Sequence, residues 1–262
     1  MKYSPLLAVA VSALFIVGCD DDDEPTTQLQ AVHASPDAPL ANVLIDNQPL
    51  WSSVDYAQAS GYSAVNQGQT SVQVDVQLPG DAVATVIPQS QFDLSGDLDY
   101  TVMVLGDADG SNNPVEALVV TRPAEGTATS STLDVQVVHA ATGVGDVNLY
   151  VTGPSDPLGA PLGTLGYKDF TDVLNIPAGQ YRVRLETVSG NAIAFDSGEI
   201  TLPAGSELTI AAVPRADSNS ASPVKLMVMD GSGSSLIYDM AETAEVRVCL
   251  LYTSPSPRDT RE

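Results

Sequence analysis

The chain holds two histidines, His33 and His139, and each closes an apolar run of one kind, "LQAVH" and "VQVVH", 106 residues apart. A repeat at that spacing constrains the fold more than any local propensity, because what the first copy builds the second must build again. The correspondence continues through "NVLID" (42–46) with "VNLYV" (147–151), "VDYAQASGYSAV" (54–65) with "LGYKDFTDVLNI" (165–176), and "QTSVQVDV" (69–76) with "QYRVRLET" (180–187). Residues 94–120 then match 202–228 without a gap. Two domains follow, at 29–122 and 133–240, joined by the linker "PAEGTATSST" at 123–132.

Within each copy the pattern is that of strands. Val72, Val74 and Val76 alternate with Gln73, Asp75 and Gln77, and Tyr181, Val183 and Leu185 alternate with Arg182, Arg184 and Glu186, the period of a half-buried strand. Turn signals recur at Pro79-Gly80, Pro177-Ala178-Gly179 and Pro203-Ala204-Gly205. No stretch combines helical apolar spacing with a cap. The expectation is an all-β chain of two tandem β-sandwiches, immunoglobulin-like or transthyretin-like. After the second copy, "AETAEVRV" (241–248) resembles "STLDVQVV" (131–138), so the start of a truncated third repeat is expected there. The final "CLLYTSPSPRDTRE" (249–262) resembles the conceptual translation of a sequencing adapter and is set aside. Each copy is long enough to bury its own core. With a short polar linker and two acidic surfaces, the copies are expected to fold independently and touch only lightly.

The amino terminus gives an address. Met1-Lys2 and the apolar run Leu6 to Val17 form a secretory signal at 1–18, too short to span a bilayer, which needs roughly 20 residues. Ile16-Val17-Gly18-Cys19 resembles the lipobox of bacterial lipoproteins. That resemblance implies cleavage before Cys19, acylation of its sulfur, and the membrane as a partner through the lipid. Asp20 to Glu24 begin a self-repelling acidic tether at 19–28. The inner-membrane periplasmic face and the outer membrane or cell surface both remain open as locations. With 33 acidic against 10 basic residues and a net charge of −23, the chain repels nucleic acid, which is excluded as a partner. Once 249–262 are set aside no cysteine follows Cys19, so no disulfide staples either copy.

Chemistry is the harder question. "VHASPDAP" places His33, Ser35 and Asp37 within five positions, but a nucleophilic triad converges from different segments. The second copy has Ala141 and Gly143 where the first has Ser35 and Asp37. Turn formation explains both: Pro36-Asp37 suits the centre of a type I turn, and His33 and His139 are expected to bond nearby backbone through a ring nitrogen. His33, Pro36, Asp37 and His139 are thus a structural repeat signature. Asp107, Asp109, Asn112 and Glu116 offer oxygen donors for calcium, the one cofactor these residues could hold. The aligned loop keeps only Asp217 and Asn219, which favours a strand connection. No hydrolase, nucleotide or redox motif is present, so the chain is not expected to be an enzyme. Trp51, Tyr56 and Tyr62 could form a glycan platform, but core filling or loop anchoring is the expectation.

"VHASPDAP" opening a β-repeat of about a hundred residues, in tandem and behind a lipobox, resembles a bacterial family of envelope proteins carrying a domain of unknown function. The resemblance runs over residues 29–240, and Val138-His139-Ala140 carry it in the second copy. It implies an extracytoplasmic lipoprotein of β-sandwich repeats and supplies no catalytic residues. The expected function is a non-enzymatic, lipid-anchored envelope protein serving as spacer, adhesive or protein-interaction module, with envelope proteins or glycans as partners. The alternative is an extracytoplasmic ligand-binding protein taking calcium or glycan through its inter-strand loops.

Overall fold

The computed structural model describes residues 25–77, 82–108, 113–215 and 220–242. Ile16, Val17, Gly18 and Cys19, the acidic run through Glu24, the Pro79-Gly80 turn, Asp109, Asn112, Asp217, Asn219, residues 243–248 and residues 249–262 lie outside the described residues.

The described chain is built of strands. The first copy contributes β1 (Thr26–His33), β2 (Ala41–Ile45), β3 (Gln48–Val54), β4 (Gln58–Ala59), β5 (Ser63–Asn66), β6 (Gly68–Gln77), β7 (Val83–Leu94), β8 (Leu98–Leu105) and β9 (Glu116–Pro123). The second contributes β10 (Thr132–His139), β11 (Val147–Thr152), β12 (Gly163–Leu165), β13 (Leu174–Pro177), β14 (Gly179–Thr187), β15 (Ile193–Asp196), β16 (Ile200–Leu202), β17 (Glu207–Pro214), β18 (Val224–Met229) and β19 (Ser234–Ile237). In the first copy an inner sheet β4-β1-β8-β9, with β5 also on β1, faces an outer sheet β3-β2-β6-β7. In the second, an inner sheet β13-β10-β17-β18-β19 faces an outer sheet β12-β11-β14-β15, with β16 on β14. β1 runs parallel to β8 and β10 parallel to β17, whereas the other pairings are antiparallel. Each copy is a β-sandwich.

Side-chain alternation then stacks four sheets. Leu29, Ala31 and Val102 of the first inner sheet pack on Val43, Val72 and Val74 of its outer sheet. Val135, Val137 and Ile210 of the second inner sheet pack on Leu149, Val183 and Phe195 of its outer sheet. The remaining faces of the two inner sheets meet each other. Val32, Met103, Leu105 and Val120 join Val138, Ala211, Val213, Met227 and Met229 in a third core shared by the copies. The expectation of light contact is therefore wrong. The reason is compositional: β8 and β17 are buried at six and seven consecutive positions respectively, a run that fits a strand covered on both faces and not one with a wet face. Ala34, Ala140 and Ala211 in that core let the two sheets approach closely.

Charge repulsion is offset where the sheets meet. The first copy holds no Lys or Arg before Arg122. Arg122 pairs with Glu207 of the second copy at 3.0 Å, and Lys168 of the second pairs with Glu116 of the first at 2.9 Å. The linker is fixed as well. The Asp134 carboxylate, 1% exposed, accepts hydrogen bonds from the Thr127 amide (2.5 Å) and hydroxyl (2.8 Å), the Ala128 amide (3.0 Å) and Asn175 Nδ2 (2.7 Å).

Register corrects two of the sequence matches. Val43 lies opposite Val74 and Leu149 opposite Leu185, so Asn42 corresponds to Asn148 and not to Val147. Glu116 lies opposite Leu105 and Lys225 opposite Val213, so the second copy gains one residue before its last matched strand. A slip of one residue exchanges the two faces of a strand.

Candidate functional site

The repeat signature sits where β1 and β10 leave their sheets. His33 is 1% exposed. Its Nε2 lies 3.0 Å from the Pro39 carbonyl oxygen, and the Ser35 amide donates to its Nδ1 at 3.3 Å. His139 repeats the arrangement, with Gly145 O 2.8 Å from Nε2 and the Ala141 amide donating to Nδ1 at 3.4 Å. A ring that donates from Nε2 and accepts at Nδ1 is neutral, and burial lowers the pKa of both rings.

Ser35 Oγ donates to the Gly106 carbonyl at 2.7 Å and lies 3.4 Å from Asp37 Oδ1, which also accepts the Ala108 amide at 2.9 Å. These bonds tie the turn after β1 to the chain leaving β8. They also leave His33 no nitrogen with which to take a proton from Ser35, because one nitrogen holds a hydrogen and the other already accepts one. Gly106 adopts φ +106°, and a Cβ there would stand 2.3 Å from the Pro114 oxygen, so the loop closes only on glycine.

The two signature turns come to the same end of the molecule. Thr142 Oγ1 of the second copy donates to Asp107 Oδ1 of the first at 2.8 Å. Tyr56 donates its hydroxyl to the Pro214 carbonyl. Pro36 and Asp107 on one side and Thr142, Gly143 and Arg215 on the other border an open crevice of about 480 Å³. Arg215 is held there by Glu242 at 3.0 Å and by the Tyr238 ring, 5.2 Å from its centroid.

Of the calcium-donor set, Asp107 is engaged by Thr142 and Glu116 by Lys168. Among the described residues no group of three or more His, Cys, Asp or Glu is placed to hold a metal. The three aromatics go to different places. Trp51 packs on the first core, Tyr56 lies in the seam between the copies, and the Tyr62 amide donates to Gly231 O of the second copy at 2.8 Å. The residues that sequence reasoning missed are those of the seam: Arg122, Lys168 and Lys225, with Asp134 beside the linker. Their signal was the scarcity of basic residues, since four of the six in residues 25–242 lie where the copies meet.

The family model of a domain of unknown function, DUF4397, matches residues 27–150 and 133–249. The chain belongs to that family. The two matches, one on each copy, overlap across β10 and the start of β11. No curated protein matches the chain. Among solved structures it is similar to a candidate adhesin from Bacteroides ovatus, at 10% identity and TM-score 0.25, covering 84% of this chain and 97% of that one. It is also similar to a streptococcal virulence factor described as binding alpha-glucan, at 10% identity and TM-score 0.23, covering 71% and 93%. A third is a candidate polysaccharide-binding protein from Bacteroides thetaiotaomicron, at 10% identity and TM-score 0.23, covering 79% and 97%. At these TM-scores the likeness carries no functional argument.

Proposed function

We propose that the protein is a non-enzymatic, lipid-anchored envelope module in which two fused sandwiches act as one rigid spacer that presents a binding or adhesive surface away from the membrane. The observation that carries this reading is the third core, shared by Met103 and Leu105 of one copy with Met227 and Met229 of the other. A shared core removes the hinge that a ten-residue polar linker would otherwise provide, so the pair holds a fixed length. The signature residues support the same reading, because His33, Ser35 and Asp37 spend their hydrogen bonds on loop closure. The envelope address rests on the lipobox Ile16-Val17-Gly18-Cys19 and on the acidity of the chain.

Spin labels test the rigidity. Cys19 and Cys249 are replaced by serine, and cysteines are placed at the exposed Gln69 of β6 and Gln180 of β14. One narrow distance distribution is expected; a broad one would mean that the copies move independently. Radiolabelled palmitate tests the anchor, since incorporation should vanish in Cys19→Ala, and unchanged labelling rejects the lipid attachment.

A further inference from the structure

The two copies differ at one position in a way that leaves space. In the first, Trp51 of β3 stands opposite Val43 of β2 and packs against the first core. The corresponding pair in the second is Gly163 of β12 opposite Leu149 of β11, and Leu149 is fully buried in the second core. Residues directly opposite in an antiparallel pair share a face of the sheet. Gly163 therefore presents its missing side chain to the core, and a Cβ built there meets nothing within 4 Å. The second sandwich holds a cavity of about 250 Å³ between Val135, Val137 and Ile210 of its inner sheet and Val151, Val183 and Leu202 of its outer sheet. Leu162, next to Gly163, also lines it and is 51% exposed.

The walls are hydrocarbon, and the two polar side chains on them are already engaged. Asn175 Nδ2 donates to Asp134 at 2.7 Å, and the Tyr181 hydroxyl donates to the Pro177 carbonyl at 2.6 Å. A carboxylate buried there would find neither a cation nor a free side-chain donor among the lining residues, at a cost of roughly 2 kcal/mol or more. An apolar occupant gains the dispersion contacts the empty space forfeits. An apolar cavity of about 150 Å³ accepts benzene, so this one accommodates about ten carbons, the size of an indole ring system.

We infer that the second sandwich binds a small, flat, uncharged two-ring aromatic molecule, at the place where the first copy carries its own Trp51. The copies supply the choice of a ring over a chain: the same scaffold position that bears an indole in one bears no side chain in the other. The site lies between the sheets of one sandwich, which favours a free small molecule that can slide in edgewise. It is separate from the signature turns and stands independently of the spacer reading.

Methyl nuclear magnetic resonance of the mature chain, titrated with indole into the millimolar range, tests this. The methyl signals of Val135, Val183 and Ile210 should shift, while those of Val43, Val74 and Val102 in the first core stay in place. Gly163→Trp refills the space and should weaken binding at least tenfold; Gly163→Leu, a smaller filling, should weaken it less. Dispersed spectra of the two variants establish that they fold. Indole that shifts nothing, or that binds Gly163→Trp as tightly as the wild type, overturns the site. Decanoate binding in preference to indole overturns the aromatic assignment.

Discussion

The Lys225 ammonium lies 4.2 Å from the centroid of the Tyr56 ring, and the two residues belong to different copies. Lys225 is 9% exposed; burial lowers its pKa, with the Arg215 charge adding to the effect, so the ring face returns part of a desolvation cost. Tyr56 also stands edge-on to His33, with centroids 6.4 Å apart. A double-mutant cycle of Tyr56→Leu and Lys225→Met, read from urea unfolding, should give a coupling of about 1–2 kcal/mol. A coupling below about 0.3 kcal/mol, within the scatter of additive sites, would show that the contact stabilises nothing.

The histidines set a pH dependence with a definite sign. Burial lowers the pKa of His33 and His139, against the opposing pull of the Pro39 and Gly145 carbonyls and of Asp55, Asp146 and Asp169. Unfolded chains protonate histidine near 6.5, whereas the folded rings wait for a lower pH. The unfolded state thus binds more protons in between, and stability falls as pH drops from about 6.5 toward the folded values. Asp99, raised by burial, works in the opposite direction, and Asp134, Asp196 and Asp230, whose pKa values are lowered, act only below about 4. Urea midpoints between pH 7 and pH 5 should therefore decline, less in His139→Gln and least in His33→Gln/His139→Gln. An equal decline in the double variant would assign the slope to other groups.

The outer sheets were legible in the sequence and the inner sheets were only half so. Val72, Val74 and Val76 alternate with polar residues because β6 has one face turned away from the core, and alternation is what periodicity detects. In "YTVMVL" (100–105) and "LTIAAVP" (208–214) both parities are apolar. Such a run fixes a buried strand without saying what buries its second face, and here the cover is the other copy. The signature turn was readable because comparing the copies removed Ser35 and Asp37 from any shared chemistry. The seam was not, because Lys225 and Tyr56 are 169 residues apart, and their meeting depends on which faces pair. Gly163 was hidden by the loop insertion that separates it from the position of Trp51.

Asp134 holds the linker, and its removal should release it. Burial alone would raise its pKa, but hydrogen bonds from Asn175, Thr127 and Ala128 outweigh that and lower it, so the carboxylate is charged at neutral pH. Asp134→Ala leaves the Thr127 and Ala128 amides without their acceptor and should cost about 2–3 kcal/mol. Amide hydrogen exchange offers a local check: Thr127 and Ala128 should be protected in the wild type and exchange at loop rates in the variant. Unchanged protection would place the restraint elsewhere.

Separating the copies is the severest test of the shared core. Residues 26–124 alone would turn Val32, Met103, Leu105 and Val120 to water, and residues 130–240 alone would do the same with Val138, Val213, Met227 and Met229. An exposed apolar face of that kind drives self-association. Each isolated copy should therefore aggregate, dimerise through that face, or melt well below the tandem chain. For a domain of about 100 residues, 1 kcal/mol shifts the midpoint by roughly 4–8 °C. Truncating one buried methionine, as in Met227→Ala, should cost about 2–5 kcal/mol, and because the core is common to both copies the whole chain should still unfold in one transition at a lower midpoint. Copies that melt alone within about 8 °C of the tandem, or a Met227→Ala chain in which only the second copy shifts, would mean that the third core adds little and that the sandwiches are independent beads.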